Sequence, residues 1–211
     1  MGLRIRTLVV GMLETNCYLA SDEATGEALV IDPGGNAEII LRAIRSDALK
    51  VRLIVDTHGH FDHVLANGAL REATGAPIAV GRPDAALLTE PVSLFGQGMG
   101  GPPSPPADQF LAGGDEIALG GQKLRVLATP GHSPGSISLY AAEAAAVFTG
   151  DALFRLGIGR TDLPGGSLQT LEQSIRTQLF TLPDETAVYP GHGPASTIGQ
   201  EKRQNPFVGG E

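Results

Sequence analysis

The stretch Thr57-His58-Gly59-His60-Phe61-Asp62-His63 gathers three imidazoles and a carboxylate into seven consecutive residues. Imidazole with carboxylate suits a borderline divalent metal, and open sites built from these groups are usually catalytic rather than structural. The glycine between His58 and His60 allows a tight bend, while the adjacent Asp62 and His63 are expected to point in different directions. One cation could not easily collect all four side chains, whereas two neighbouring cations could. Read singly, Asp62 would serve as an ordinary helix N-cap and each histidine as a cap or a satisfied core group.

The remaining two histidines repeat the same placement. His132 lies in Thr129-Pro130-Gly131-His132-Ser133-Pro134-Gly135 and His192 in Pro190-Gly191-His192-Gly193-Pro194, while Asp151 closes Thr149-Gly150-Asp151. Each follows an apolar, strand-like run. In layered α/β folds the loops at one set of strand ends form the cleft, so residues far apart in the chain can converge there. Arg160, in Gly157-Ile158-Gly159-Arg160, is a candidate for holding an anionic group of a substrate, against the alternative of a solvated surface charge. Cys17 is the only cysteine; it reads as a small buried apolar side chain in a strand rather than as a nucleophile.

These residues need elements to position them. Leu8-Val10, Cys17-Leu19 and Ala28-Ile31 are short strands of a meander, broken by Asp32-Pro33-Gly34-Gly35. Ala37 to Arg45 carries Ile40, Leu41 and Ile44 at helical spacing. Leu53-Ile54-Val55 is a strand feeding the histidine turn, and Val64 to Ala73 a helix leaving it. A strand over Pro77–Val80 and a short helix over Asp84–Leu88 follow. Phe95 to Asp108, rich in glycine and proline, is expected to form neither helix nor ladder and reads as a substrate-side loop. Further strands cover Lys123–Ala128, Ser136–Tyr140, Ala145–Phe148 and Ala187–Tyr189, with helices over Leu168–Leu179 and Thr197–Gln204.

With 211 residues the chain is long enough for one well-buried domain and short for two, so a single domain over 1–211 is expected. A formal charge of -8 and a pI near 5.1 argue against nucleic acid as partner, since phosphate binding needs a basic surface. No apolar run approaches the ~20 residues of a membrane span. The first residues lack the apolar core of a signal peptide, and a single cysteine permits a reducing compartment, so a cytoplasmic location is expected. Oligomeric state is not legible.

The run His58-Gly59-His60-Phe61-Asp62-His63, followed in order by Gly131-His132, Gly150-Asp151 and Gly191-His192, resembles the metallo-β-lactamase superfamily of hydrolases over nearly the whole chain. The resemblance implies a four-layer αβ/βα sandwich of two mixed sheets flanked by helices, with two metal ions at one edge. It implies His58, His60 and His132 on one ion, Asp62, His63 and His192 on the other, and Asp151 bridging both. Within the superfamily, Gly150-Asp151-Ala152-Leu153-Phe154 and the ending Gly191-His192-Gly193-Pro194 through Asn205-Pro206-Phe207 are similar to the small, single-domain members of the glyoxalase II-like group, thioesterases related to hydroxyacylglutathione hydrolase. Asp162 stands where the full-length enzymes of that group place a tyrosine.

Two cations sharing a water would bring its pKa toward ~7 and supply a hydroxide nucleophile at neutral pH. Such a hydroxide would attack a small-molecule thioester such as S-lactoylglutathione, with Asp62 and Asp151 as the carboxylates of the reaction and a thiolate leaving without protonation. Zinc is the first expectation for the metal, with iron or manganese as alternatives. The first alternative activity is a mono-iron persulfide dioxygenase, which Gly159-Arg160-Thr161-Asp162 also resembles and whose iron ligands would fall on His58, His132 and Asp151. A lactonase or other ester or lactam hydrolase of the same fold is the second. A nuclease is disfavoured by the acidity and the absence of an inserted domain, and a structural or sensory metal centre is the reading outside catalysis.

Overall fold

The chain opens as an antiparallel meander of β1 (Leu3–Val10), β2 (Thr15–Asp22) and β3 (Glu27–Ile31). Helix α1 (Ala37–Ser46) then carries it over to β4 (Lys50–Asp56), which lies parallel to β3. The structure is a computed structural model, and it describes residues 2–90, 93–94, 97–98 and 103–210. After β4 come two short helices, α2 (Phe61–Val64) and α3 (Asn67–Thr74), strand β5 (Ile78–Gly81), and α4 (Ala85–Leu88) behind a single 3-10 turn. A two-residue ladder joins β6 (Ser93–Leu94) to β7 (Gln97–Gly98), and β8 (Gln109–Leu111) completes a mixed six-stranded sheet in the order β1-β2-β3-β4-β5-β8.

The second half builds another six-stranded mixed sheet. Strands β9 (Glu116–Leu119), β10 (Gln122–Ala128), β11 (Ile137–Ala141) and β12 (Ala146–Gly150) run antiparallel in turn. The hairpin β13 (Leu153–Phe154) and β14 (Gly157–Ile158) stands apart. Helix α5 (Leu168–Ser174) leads to β15 (Ala187–Pro190), which pairs parallel with β12; β16 (Ser196–Thr197) and α6 (Ile198–Gln204) end the chain.

Side-chain alternation sets the layers, because successive residues of a strand face opposite sides of its sheet. In the first sheet Cys17, Leu19, Val30, Ile54, Ile78 and Val80 face α1 and α3. Their neighbours Tyr18, Ala20, Leu29, Ile31, Val55 and Ala79 face the second sheet and meet Leu124, Val126, Leu139 and Phe148. On the far side of the second sheet, Leu127, Val147 and Val188 pack under Leu171, Ile175, Leu179 and Ile198 of the C-terminal helices. The order is helix, sheet, sheet, helix: the αβ/βα sandwich.

Strands β8, β13, β14 and β16 fall where no strand was expected, and three further segments differ from the sequence expectations. The helix expected over Val64–Ala73 is two helices, because the Ala66 N–H donates to Pro33 O at 2.9 Å instead of continuing the helical ladder. The helix expected over Leu168–Leu179 widens after Ser174 into a π-helical turn over Ile175–Leu179, where the Phe180 N–H reaches back to Ile175 O at 2.8 Å. Gln97–Gly98 form a ladder where none was expected, since two residues of extended backbone suffice to pair with Ser93–Leu94. Most of the remaining Phe95–Asp108 segment, and with it the expectation of a substrate-side loop, lies outside the described residues.

Candidate metal centre

Strands β4, β10, β12 and β15 all deliver a candidate ligand just beyond their C-terminal ends. β10 is antiparallel to β11 and β11 to β12, so β10, β12 and β15 share one direction. Loops after these strands therefore open on one edge of the second sheet, and the β4 loop meets them from the first. Backbone hydrogen bonds sew the edge together. The Ile137 N–H donates to Thr57 O at 2.8 Å, and the Asn16 N–H donates to Gly191 O at 2.7 Å. Tyr18, tilted against Phe148 and edge-on to Tyr189 beneath the edge, donates its hydroxyl to Pro190 O at 2.6 Å.

All seven expected ligand residues come together here. Three sets of donor atoms each fall within 4.8 Å of one another: His58, His60 and His132; Asp62, His63 and His192; and His58, His63 and Asp151. Asp62 is not the N-cap of its helix. His60 holds that position and leaves its own side chain free of the cap, while Asp62 in the first turn turns its Oδ2 to within 3.3 Å of His192 Nε2. Gly191 lies flush against the cluster, where a Cβ would collide with Asp151 Oδ1 and His63 Cε1.

Partners outside the cluster decide which nitrogen of each ring faces inward. A carbonyl oxygen can only accept, so Nδ1 of His132, 2.7 Å from Arg160 O, carries the proton and leaves Nε2 as a lone pair. Leu13 O does the same for Nδ1 of His192 at 3.0 Å. Asp32 Oδ2 stands 3.1 Å from Nδ1 of His63. Thr57 gives its hydroxyl proton to Asp32 Oδ2 at 2.7 Å and so accepts from His58 Nδ1 at 3.2 Å. His60 is reversed and presents Nδ1, 2.8 Å from His132 Nε2.

The result is a set of facing lone pairs. Nε2 of His132 is 3.2 Å from Nε2 of His58, and Nε2 of His63 is 3.3 Å from Nε2 of His192. Two nitrogens bound tetrahedrally at ~2.0–2.1 Å from a zinc would stand about 3.4 Å apart. Asp151 Oδ1 is buried with no hydrogen-bond partner and lies 3.4 Å from His63 Nε2, while Oδ2 lies 3.5 Å from His132 Nε2 and 3.7 Å from His192 Nε2. An orphaned carboxylate oxygen among inward lone pairs is costly unless a cation satisfies it. The donor set thus fits divalent metal, with Asp151 facing both halves.

Electrostatics without the metal point the same way. Burial disfavours charge on His63, yet the carboxylates of Asp151, Asp32 and Asp62 outweigh it and push the ring up to about 10. Burial lowers His60 to about 4, helped by His132 and His63, and holds His58 well below its ordinary value. For Asp62, burial opposes the charge, but His63 and the hydrogen bond from His192 overcome it and hold the carboxyl well down. Arg160 keeps its guanidinium at the surface, paired with both oxygens of Asp162 at 2.7 Å; its inward contribution is the carbonyl on His132.

Sequence reasoning passed over Asp32 and Thr57. Asp32 was read only as a turn former in Asp-Pro-Gly-Gly, yet it is buried in the left-handed region at φ 51 and accepts from both the N–H and the hydroxyl of Thr57 at 2.7 Å. Buried carboxylates rarely stand alone, so an aspartate directly after a fully apolar strand was the available signal. The carbonyls of Leu13 and Arg160 carry no signal in sequence.

The sequence model of the Metallo-beta-lactamase superfamily matches residues 10–192. The hydroxyacylglutathione hydrolase GloC of Haemophilus influenzae is 39% identical over 212 residues, covering 98% of both chains. Among solved structures, the BLEG-1 B3 metallo-beta-lactamase superposes with a TM-score of 0.92 at 37% identity, covering 98% of this chain and 100% of that one. TTHA1623, solved in a di-iron-bound form, gives 0.87 at 38% identity over 96% and 99%. ETHE1 from Myxococcus xanthus gives 0.78 at 39% identity over 97% and 84%. No helix among the described residues is long and apolar enough to cross a membrane.

Proposed function

The chain belongs to the metallo-beta-lactamase superfamily as a metal-dependent hydrolase, and we propose that its reaction is hydrolysis of a small-molecule thioester of the glyoxalase II type. One observation supports a two-metal hydrolytic centre: Asp62, His63 and His192 form a complete second donor set beside His58, His60 and His132. A mono-iron oxygenase using His58, His132 and Asp151 would leave that second set without work. The likeness to GloC supports the acyl-thiol class.

Bound there, two divalent cations would supply an activated water at neutral pH and a Lewis acid for the carbonyl. The protein's own groups do the rest. Arg160 O, Leu13 O, Asp32 and Thr57 fix the four ring tautomers, so the donors are ordered before substrate arrives. Asp62 Oδ2, 3.3 Å from His192 Nε2, would help hold a cation there and orient the water it activates. Asp151 faces both sets and holds their spacing. A thiolate departs unprotonated, which suits a centre with no separate general acid among the described residues.

The persulfide dioxygenase reading keeps a specific support, the likeness to ETHE1 together with His132 Nε2 lying within 3.5 Å of both His58 Nε2 and Asp151 Oδ2. A single assay set separates the two. Thiol release from S-lactoylglutathione, oxygen consumption with glutathione persulfide, and opening of a lactone and a β-lactam are measured on one metal-analysed preparation. Fast thiol release with two metals per chain supports the proposal. Oxygen consumption with one iron overturns it.

A further inference from the structure

The segment Gly81–Leu88 holds no candidate metal ligand, yet it carries a fully buried carboxylate, Asp84. Asp84 precedes α4, where an aspartate ordinarily caps its own helix, but it makes no such bond. Its oxygens go to two ligand-bearing loops instead. Oδ2 accepts from the Gly59 N–H at 3.0 Å, between His58 and His60. The same oxygen accepts from Ser133 Oγ at 2.5 Å, next to His132. Oδ1 accepts from the Gly135 N–H at 2.6 Å, at the far end of the His132 turn.

Glycine is required on both sides of this contact. A Cβ at Gly135 would meet Asp84 Oδ1 at 2.6 Å, and one at Gly59 would meet Asp84 O at 2.8 Å and the Leu87 side chain at 2.7 Å. The other donor set is not bonded to Asp84: His63 faces Asp32, which also holds Thr57 against His58, and His192 faces Leu13 O.

We infer that Asp84 is a positioning residue for one half of the centre: by binding the His58–His60 turn and the His132 turn to a single carboxylate, it sets the separation of those ligands and hence the affinity of that half alone. The inference rests on the reading that the centre holds two cations, though not on thioesterase activity. An asparagine at 84 keeps the shape but offers one acceptor oxygen to three donors, so one loop must let go. Ser133→Ala removes one donor and leaves both backbone bonds.

Zinc is added stepwise to metal-stripped wild-type, Asp84→Asn and Ser133→Ala protein against a chelator of known affinity, and crystals at each loading locate the ions by anomalous scattering. In Asp84→Asn the His58/His60/His132 set is expected to lose about 10- to 100-fold in zinc affinity while the Asp62/His63/His192 set stays within about twofold. Ser133→Ala should show a smaller loss at the same set. Unchanged affinity at both sets, or equal weakening of both in step with the melting temperature of the metal-free protein, would overturn the inference. If Asp84→Asn does not fold, Ser133→Ala decides, and an unaltered ratio between the sets is the negative result. A wild-type chain that takes up no zinc overturns the two-metal reading itself, a separate outcome from two metals bound and the variants indifferent.

Discussion

Asp32 Oδ2 stands 3.1 Å from Nδ1 of His63, in full burial, and sets a negative charge behind that ring on the side away from Asp62 and His192. Replacing it with asparagine keeps the left-handed backbone acceptable but offers His63 and Thr57 a group with one acceptor fewer. Asp32→Asn is expected to weaken zinc at the Asp62/His63/His192 set by about 10- to 100-fold. Chelator competition on the metal-stripped protein measures it, and equal affinity for wild type and variant would remove Asp32 from the account.

Asp62 separates a catalytic centre from a purely structural one. Its oxygen faces His192 and His63 at 3.3 and 3.6 Å at the front of the second donor set. Asp62→Ala should reduce kcat by about 100-fold or more, as losses of groups acting on the reacting atoms do, while the chain still folds. A structural metal site predicts the reverse, a lower melting temperature with no turnover to lose.

His63 makes the metal-free protein sensitive to pH. Its folded-state value is raised to about 10 from an ordinary 6.5, so its stabilising contribution is complete below about 6.5 and is lost as pH rises through about 10. Thermal unfolding of metal-free protein should therefore show a falling midpoint between neutral pH and pH 10. At pH 7 zinc must displace that proton, so calorimetric binding heats should scale with the ionisation enthalpy of the buffer. Heats independent of buffer would contradict the assignment.

Cys17 should be chemically silent. The thiol is fully buried on the outer face of β2 and pushed well up by burial, with Asp32 and Asp56 adding to the effect. A thiol-specific reagent is expected to modify it only after denaturation, since the thiolate is the reactive form. Loss of activity on labelling the folded protein would reopen a nucleophilic role.

Arg160 acts on the centre through its backbone, while its side chain lies at the surface paired with Asp162. Arg160→Ala retains the carbonyl on His132 and should leave metal content at the wild-type level. KM for an acidic thioester should rise several-fold, and KM for a neutral one should not. KM values unchanged from wild type for both substrates would assign the guanidinium to Asp162 alone, its bidentate partner at 2.7 Å.

The donors of the centre were legible in the sequence because each directly follows a strand: His58 after Val55-Asp56-Thr57, His132 after Ala128, Asp151 after Phe148, His192 after Tyr189. The apolar runs Cys17–Leu19, Ala28–Ile31 and Leu53–Val55 likewise marked strands of the first sheet. Helix boundaries were less accessible. The break at Ala66 depends on Pro33 O, and the widening after Ser174 on an i to i−5 bond, neither of which local periodicity encodes.

By itself, then, the amino-acid order determined the kinds of donor and their positions after apolar strand-like runs, since these follow from side-chain chemistry, and the resemblance carried by those motifs implied the four-layer class. Only the tertiary structure decided which nitrogen each histidine presents and which groups hold each ligand loop in place. Those outcomes depend on a carbonyl at Leu13, another at Arg160 and the carboxylates of Asp32 and Asp84, and all of them reach the centre from segments that are distant along the chain and adjacent only after the two sheets have closed on one another.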